Sequence, residues 1–213
     1  MTQLHEQYRP SKWADVVGQD KAIAQIDNLR KRGLGGRAYF ISGASGTGKT
    51  TIAKLLAAEL ADEFCIMELD ASDVTPAKLA TIEQAMSLYG WGKGGRAYII
   101  NEVHGLSRPS IRQLLVLLER LPKHVVVIFT TASENAVNLF EEKIDATPLL
   151  SRCQEISLSR RDLAQPFAER ARQIAQAENL DGQPVEEYLK LVRKHKNNMR
   201  SVLQEIESGT MAK

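Results

Sequence analysis

The sequence predicts an α/β fold in which a parallel five-stranded sheet carries helices on both faces and is followed by a small domain of three helices. In residues 1–158, short β-rich apolar runs alternate with stretches of helical periodicity, and this alternation is typical of a parallel sheet. From Ser159 onward the β-rich runs cease and only helical patterns remain. We therefore expect an α/β domain at residues 1–158 and a helical domain at residues 159–213.

The elements of the predicted α/β domain can be read from the periodicity of its apolar residues. The five predicted strands are Ala38–Ser42, Glu63–Asp70, Ala97–Asn101, Val125–Thr131 and Gln154–Leu158. The helical patterns lie at Gln19–Arg32, Lys49–Leu60, Thr75–Leu88 and Pro109–Leu121. Thr75 is a predicted N-cap, because it precedes a proline at the first helical position.

Start and stop signals divide the second domain into three helices. Ser159 and Asp162 resemble a capping box, in which Asp takes the usual place of Glu. Pro184 begins the next helix, and Asn198 is a predicted cap of the last one, which Gly209 ends. The expected spans are about 159–179, 184–195 and 198–209.

Composition indicates a protein with a core of its own and without a membrane span. Hydrophobic residues make up 43% of the chain, which suffices for a buried core. The longest apolar runs, such as Val125–Phe129, are far too short to cross a bilayer, and the N-terminus has no signal-peptide pattern. Cys65 and Cys153 are too few for a disulfide framework. We expect a cytoplasmic location and no membrane partner.

Positive charge is concentrated between Trp91 and His124, although the formal net charge of the chain is only +2. This stretch holds six Lys or Arg residues against two acidic ones. Such a local excess indicates either a polyanionic partner or an ordinary solvated helix face. The six basic residues are Lys93, Arg96, Arg108, Arg112, Arg120 and Lys123.

The clearest motif is a glycine-rich loop. Residues 43–50, GASGTGKT, fit G-x-x-x-x-G-K-[ST] at every fixed position and lie between a predicted strand and a predicted helix. Consecutive backbone N–H groups of such a loop face phosphate oxygens, and the helix N-terminus adds positive potential. Lys49 is expected to face the β- and γ-phosphates, and the Thr50 hydroxyl to ligate Mg²⁺. The motif predicts a nucleoside triphosphate site made of Gly43, Ala44, Ser45, Gly46, Thr47, Gly48, Lys49, Thr50 and Thr51.

Four further stretches carry a family resemblance: QYRPSKWADVVGQD, ELDASD, LLSRC and NNMRSVLQEI. Together with the loop they resemble AAA+ clamp loaders, and most closely the small subunits of replication factor C, from about Tyr8 to Ile206. Bacterial clamp-loader motor subunits usually insert a four-cysteine zinc module after the loop, where this chain has only Cys65. This difference favours replication factor C. The resemblance implies an AAA+ fold with a three-helix lid, ATP or ADP with Mg²⁺, and ATP hydrolysis.

The resemblance also implies roles for residues outside the loop. Thr131 matches sensor 1, Arg152 matches the arginine finger that reaches a neighbouring subunit, and Arg200 matches sensor 2, with Met199 beside it. Glu102 is the expected general base. The implied catalytic set is Lys49, Glu102, Thr131, Arg152 and Arg200, and the implied adenine pocket is Tyr8, Arg9, Pro10, Val16 and Val17.

The resemblance further implies partners. It predicts assembly with other AAA+ subunits, together with DNA and a sliding clamp or another replication or repair protein. Arg108 and Arg112 would face DNA, and we add Lys93 and Arg96 to this predicted surface because they share the basic stretch.

The sequence departs from the family at the end of the third strand. The family has an Asp-Glu pair there, often followed by Asp two positions later, whereas this chain has Asn101, Glu102 and His104. Asn101 is expected to lie on the metal side with Thr50, but its amide brings no negative charge to Mg²⁺, which prefers charged oxygen ligands. We therefore expect a competent but slow ATPase, and we read His104 as a loop residue without a role.

Two alternatives stay open at this point. Asn101 is also compatible with an ATP-binding scaffold that hydrolyses little ATP. The absence of the family's helical collar after the lid is compatible with a helicase loader or accessory ATPase that acts on a protein partner, unless the sequence is a piece of a longer chain. Residues 132–150 are longer than the usual connection, and we interpret their acidic pair, Glu141 and Glu142, as part of a surface loop.

Overall fold

The computed structural model describes residues 3–132 and 147–212, and the predicted loop with Glu141 and Glu142 lies outside these ranges. The five strands are β1 Arg37–Gly43, β2 Ile66–Asp70, β3 Arg96–Asn101, β4 Val125–Thr131 and β5 Cys153–Leu158. The helices up to β5 are α1 Leu4–Gln7, α2 Asp20–Arg30, α3 Lys49–Leu60, α4 Pro76–Met86, α5 Arg108–Leu118 and α6 Thr147–Leu150. Three helices follow: α7 Ala164–Ala177, α8 Val185–Lys194 and α9 Met199–Glu207.

The strands form one parallel sheet in the order β2-β3-β4-β1-β5. All seven residues of β4 are buried, as expected for the central strand of a sheet that is covered on both faces. Its Phe129 packs in one apolar cluster with α4 and α5, and Ile128 packs in the opposite cluster with α2 and α3. The predicted fold class, with helices on both faces of five parallel strands, is confirmed.

Local capping explains where several helices begin. The Thr75 hydroxyl accepts a hydrogen bond from the Lys78 backbone N–H at 3.2 Å, and the Asn198 side chain accepts one from Ser201 at 3.3 Å, so both predicted N-caps are confirmed. The helix α5 begins one residue earlier than predicted, because Ser107 supplies its cap.

The predicted capping box at Ser159 is wrong. Asp162 has a φ of 59°, in the left-handed region, and cannot sit in the first turn of a helix. The Ser159 hydroxyl instead accepts a hydrogen bond from the backbone N–H of Arg161 at 2.9 Å, which makes a short turn. The helix α7 therefore begins at Ala164, five residues later than expected.

The three C-terminal helices share an apolar cluster that also receives the N-terminus. Leu4 of α1 is buried among residues of α7, α8 and α9. The Tyr8 hydroxyl donates a 2.6 Å hydrogen bond to Glu178, at the end of α7. The N-terminal segment is thus packed on helices that lie at the other end of the sequence, a contact that no local pattern predicts.

A surface network joins α8 to α9. Lys194 donates a 2.7 Å hydrogen bond to Glu205, and the His195 ring lies 2.6 Å from the same carboxylate. These contacts lower the pKa of Glu205 below its usual 4.5, and the hydrogen bond from Lys194 has the largest effect. Burial of the carboxylate acts in the opposite direction. Within residues 3–132 and 147–212, no helix has the length and apolar character needed to cross a membrane.

Candidate nucleotide site

A cleft opens where the glycine-rich loop, the N-terminal segment and the C-terminal helices meet. It lies at the carboxyl edge of the parallel strands, where ligands of such sheets usually bind. Most of the predicted nucleotide-binding residues line it: Tyr8, Arg9, Pro10, Val16, Val17, Ser45, Gly46, Thr47, Gly48, Lys49, Thr50, Thr51, Met199 and Arg200. Glu102 lines it as well. The fold thus gathers segments that are as far as 190 residues apart in the sequence.

The glycine-rich loop is held in shape by its own backbone. The Ala44 carbonyl accepts hydrogen bonds from the Thr47 hydroxyl at 2.7 Å and from the Lys49 ammonium at 3.0 Å. Gly46 has a φ of 77°, and a Cβ there would lie 2.0 Å from Oδ1 of Asn198, at the start of α9. Glycine is therefore required at position 46 both for the turn and for the close approach of α9.

Charge at the loop is predominantly positive. Lys49 is only 7% exposed, and this burial lowers its pKa, while Glu102 opposes the shift and Arg200 and Arg160 add to it. Three cations thus surround one carboxylate at this end of the cleft. A polyphosphate bound here would relieve the mutual repulsion of the cations and raise the pKa of Lys49 again.

Arg160 is a site residue that the sequence analysis missed. Its guanidinium donates a 3.0 Å hydrogen bond to the Ser45 carbonyl in the loop, and its own carbonyl accepts one from Asn197 at 2.8 Å. Its Nε is buried and has no hydrogen-bond partner among the described residues. Its position was the available signal, because Arg160 comes two residues after β5, at the strand edge where ligands bind.

Gln19 fastens the loop to the segment between β5 and α7. This side chain is 3% exposed and donates hydrogen bonds to the Thr47 carbonyl at 3.3 Å and to the Ser159 carbonyl at 2.9 Å. It also accepts one from the Ser159 N–H at 3.2 Å. One buried amide therefore satisfies three backbone groups and fixes the loop relative to the chain that leads into the C-terminal helices.

The other end of the cleft is apolar. Pro10, Val16 and Val17 line the cleft together with Phe167, Ile174 and Leu203 of the C-terminal helices. His5, which the sequence analysis also missed, lines this end, and its Nδ1 is buried without a partner among the described residues. An apolar slot with one unsatisfied ring nitrogen at one end, and clustered cations at the other, matches the two ends of a nucleotide.

The residues expected near the metal are Thr50, Asn101 and Glu102. Thr50 and Glu102 line the cleft, whereas Asn101 does not. Within the described ranges, no three His, Cys, Asp or Glu side chains are grouped so as to hold a metal by themselves. A hydroxyl with one or two nearby polar oxygens does fit Mg²⁺ that arrives with phosphates, because Mg²⁺ keeps few protein ligands.

Both polar atoms of the Asn101 side chain form hydrogen bonds. Its amide nitrogen donates a 2.8 Å hydrogen bond to Glu68 on β2, and its oxygen accepts a 2.8 Å hydrogen bond from the Thr130 hydroxyl on β4. The next residue, Glu102, has a left-handed backbone with a φ of 52°, and its carboxylate lies 3.5 Å from the His104 ring. His104, read from the sequence as having no role, is thus a direct neighbour of the expected base.

Thr131 and Arg152 lie outside the cleft lining. Thr131 ends β4 with 1% exposure, and its hydroxyl has no partner within the described part of the chain. A buried hydroxyl of this kind usually binds a water molecule or a ligand.

Arg152 precedes β5, at the strand end opposite the cleft, and donates hydrogen bonds to Glu119 at 2.6 Å and to the Pro148 carbonyl at 2.7 Å. It is half-exposed and not directed into the cleft of its own chain.

The predicted DNA-binding residues, Lys93, Arg96, Arg108 and Arg112, lie toward the two ends of β3. Arg96 begins β3, whereas Arg108 follows the end of that strand, and five residue steps of a strand span about 17 Å. Lys93 donates to the Ala58 carbonyl, and Arg96 donates to the Leu88 carbonyl at 2.8 Å. Both side chains thus stabilise neighbouring backbone segments of their own chain. Arg108 and Arg112 stay together as exposed residues at the start of α5.

Comparison with known proteins gives matches at the level of sequence family. The family described as "ATPase family associated with various cellular activities (AAA)" matches residues 39–160. DNA polymerase III subunit tau from Escherichia coli strain K12 is 32% identical over 185 residues, which cover 76% of this chain and 28% of that protein. DNA polymerase III subunit gamma from Buchnera aphidicola subsp. Baizongia pistaciae is 33% identical over 178 residues, covering 73% and 46%. The chain thus spans less than half the length of either relative, and these matches do not show the narrower resemblance to replication factor C.

Comparison with solved structures supports the fold. A variant of RuvB from Thermotoga maritima superposes with a TM-score of 0.72 at 18% identity, covering 94% of this chain and 64% of that one. A second RuvB variant from the same organism gives a TM-score of 0.74 at 17% identity, with the same coverage. At such identities the likeness concerns the fold alone.

Proposed function

The chain belongs to the AAA family of ATPases, and from this premise we propose that it is an ATP-binding and ATP-hydrolysing subunit of the clamp-loader type. In this proposal, ATP turnover shared between subunits drives the assembly of a replication or repair complex on DNA. The observation that carries the proposal is a cleft lined both by apolar side chains and by Lys49 and Arg200, with Arg160 bonded to the glycine-rich loop beside it. The similarity to DNA polymerase III subunits tau and gamma supports the biological setting.

The phosphates of ATP bind at the glycine-rich loop. Backbone N–H groups of the loop and the N-terminus of α3 face the phosphate oxygens, and Lys49 contacts the β- and γ-phosphates. Thr50 would hold Mg²⁺, with Asn101 as a polar neighbour on the same side of the site. Bound Mg²⁺ neutralises charge on the β- and γ-phosphates and orients them.

Hydrolysis relies on positioning more than on covalent chemistry. Glu102 lines the cleft and accepts a proton from the attacking water, while the unsatisfied hydroxyl of Thr131 orients that water. Positive charge near the γ-phosphate stabilises the transition state, and an arginine supplied by a neighbouring subunit contributes about 10³–10⁵ in rate in other nucleotide hydrolases. We assign that part to Arg152, because it is directed away from its own cleft.

Residues 159–213 act as a lid in this proposal. The lid contacts the loop at Gly46 through Asn198, and Arg200 faces the same loop from α9. A γ-phosphate that attracts Arg200 would draw the lid toward the loop, and its release after hydrolysis would relax that contact.

A clamp-loader function also implies DNA and protein partners. Arg108 and Arg112 supply phosphate contacts, which would be sensitive to salt and weakly sequence-specific. The partners are other AAA+ subunits, DNA, and a sliding clamp or another replication protein. A closer kinship with replication factor C small subunits rests on the QYRPSKWADVVGQD and LLSRC stretches and on the absence of four cysteines after the loop.

The proposal is tested by ATP titration and turnover of the wild type, Lys49→Ala and the control Lys78→Ala, which removes an exposed lysine of α4. Removing a charged hydrogen-bond partner costs about 1.5–3 kcal/mol, so Lys49→Ala should bind ATP at least about tenfold more weakly and lose turnover. Lys78→Ala should behave like the wild type. A wild type that binds no ATP in the presence of Mg²⁺, or a Lys49→Ala variant that binds it equally well, would overturn the proposal.

A further inference from the structure

Arg152, the arginine assigned to a neighbouring subunit's cleft, is held at two points within its own chain. Its guanidinium donates a 2.6 Å hydrogen bond through Nη2 to Oε1 of Glu119. Through Nη1 it donates a 2.7 Å hydrogen bond to the Pro148 carbonyl. Glu119 directly follows α5 as its C-cap, and Pro148 lies in α6. Two helices from different parts of the chain thus fix one side chain.

Both anchors are rigid because both helices pack in the same core. Leu118, the residue before Glu119, and Leu149, the residue after Pro148, are buried in one apolar cluster. The turn between α6 and β5 is fixed as well, since the Arg152 N–H donates to the Leu149 carbonyl at 3.1 Å. The position of the guanidinium is therefore set by buried structure, although the side chain itself is 34% exposed.

The two contacts leave part of the guanidinium available to another group. Each hydrogen bond uses one terminal nitrogen, and Nε has no acceptor among residues 3–132 and 147–212. A guanidinium is planar and carries several N–H donors, so it can bind a carboxylate along one edge and a phosphate along another. The contact with Glu119 is thus compatible with a simultaneous contact to a γ-phosphate held by a neighbouring subunit.

We propose that Glu119 is a positioning residue, which orients the Arg152 guanidinium for the cleft of a neighbouring subunit. The inference rests on the proposed function, since it concerns the arginine that completes the site between subunits. A free arginine side chain samples many rotamers, and ordering it on contact costs conformational entropy. Glu119 removes part of that cost before the subunits meet, and it keeps the charge where the transition state requires it.

An acidic partner could instead oppose the arginine by neutralising its charge. Glu119 is 58% exposed, and water weakens the attraction between exposed charges, so neutralisation is a small effect here. The two roles predict opposite results. Removal of a neutralising carboxylate would increase turnover, whereas removal of an orienting one decreases it.

The first test is steady-state ATP turnover, with primed DNA present, of the wild type, Glu119→Ala, Glu119→Gln and Arg152→Ala. Glu119→Ala should lower kcat about tenfold, because a misplaced catalytic group loses part of its effect. Its KM for ATP should not change, because Glu119 does not line the cleft. Glu119→Gln keeps an oxygen that can accept from Arg152, so its kcat should lie between those of Glu119→Ala and the wild type. Glu83→Ala, at an exposed position of α4, is the control and should match the wild type.

The second test determines on which side of the shared site Glu119 acts. Lys49→Ala subunits carry Glu119 and Arg152 intact, so their addition in excess should increase the turnover of Glu119→Ala. A donor that combines Lys49→Ala with Glu119→Ala should restore the turnover of Arg152→Ala about tenfold less well than Lys49→Ala does. A purely structural role in the cleft that hydrolyses ATP would not produce this difference between donors. Equal recovery with both donors would overturn the inference.

The outcomes separate this inference from the proposed function. A slow Arg152→Ala variant, beside a Glu119→Ala variant whose kcat equals or exceeds that of the wild type, would overturn the positioning role alone. An Arg152→Ala variant as fast as the wild type, or a wild type without turnover, would contradict the proposed function and this inference with it.

Discussion

Replacing Gln19 by alanine tests whether one buried amide holds the glycine-rich loop in place. The Gln19 side chain is 3% exposed and makes hydrogen bonds to three backbone groups, one on Thr47 and two on Ser159. Alanine would leave these groups without their partner at a site from which water is largely excluded. We expect the folded state to lose stability, and the loop to lose its fixed position relative to the C-terminal helices.

The magnitude follows from the number of hydrogen bonds. Each contributes about 0.5–1.5 kcal/mol net, so the three together predict a loss of about 3 kcal/mol in the free energy of unfolding for Gln19→Ala. For a chain of this size, 1 kcal/mol shifts the melting temperature by about 2–4 °C, which gives a decrease of about 6–12 °C.

Urea unfolding followed by circular dichroism measures this loss directly. The matched control is Gln84→Ala, which truncates an exposed glutamine of α4 and should change the free energy of unfolding by less than about 0.5 kcal/mol. A loss below about 1 kcal/mol for Gln19→Ala, or one equal to that of the control, would refute the reasoning from hydrogen bonds.

Three further changes probe other parts of the site and fold. Arg160→Ala should weaken ATP binding about tenfold in a calorimetric titration, because a charged contact at the loop is lost. The control Arg161→Ala, which removes an exposed neighbouring arginine, should have no effect. An Arg160→Ala variant that binds ATP as tightly as the wild type would contradict this prediction. His5→Ala should reduce the preference for ATP over GTP about two- to tenfold in competition binding, and an unchanged preference would exclude His5 from base recognition. Glu205, whose pKa is lowered in the folded state, contributes stability above pH 4.5 that disappears as the pH falls through its folded pKa. Glu205→Gln should therefore be less stable than the wild type in urea at pH 7, the difference should shrink as the pH falls below 4.5, and a constant difference would contradict the assignment.

The parts of the fold that were predictable are those fixed by local sequence. The apolar periodicity of β4 and the glycine spacing of the loop each depend on neighbouring residues, and both predictions agree with the structure. The caps at Thr75 and Asn198 are local in the same sense, because a side chain and a backbone N–H three residues later are sufficient to form them.

Local reasoning failed where a distant residue competes. The Ser159 and Asp162 pattern resembles a helix start, but Gln19, which lies 140 residues earlier, binds both backbone groups of Ser159 and holds the chain in another conformation. Tertiary contacts override a local capping preference in such cases.

The candidate site was predictable only in part, for the same reason. The glycine-rich loop carries its chemistry in consecutive residues, and a motif can reveal it. Arg160 reaches the glycine-rich loop and His5 reaches the cleft through the packing of distant segments, and neither belongs to a recognisable motif. The contact between Glu68 and Asn101 joins two strands whose register is set by the whole sheet, so the sequence showed the unusual Asn101 without its hydrogen-bond partner.

If ATP hydrolysis is completed between subunits, two variants that are each inactive for a different reason should complement each other when they are mixed. Lys49→Ala disables its own cleft but keeps Arg152, whereas Arg152→Ala keeps an intact cleft but cannot serve a neighbour. The measurement is steady-state ATP turnover of each variant alone and of their mixture, with primed DNA present and over a range of protein concentrations. Arg193→Ala, which removes an exposed arginine of α8, is the control and should match the wild type.

Each variant alone should be nearly inactive, and the mixture should recover turnover, increasingly so at higher protein concentration. Recovery would show that Arg152 of one subunit serves the cleft of another. A mixture no more active than the sum of its parts, or an Arg152→Ala variant as fast as the wild type, would contradict hydrolysis shared between subunits.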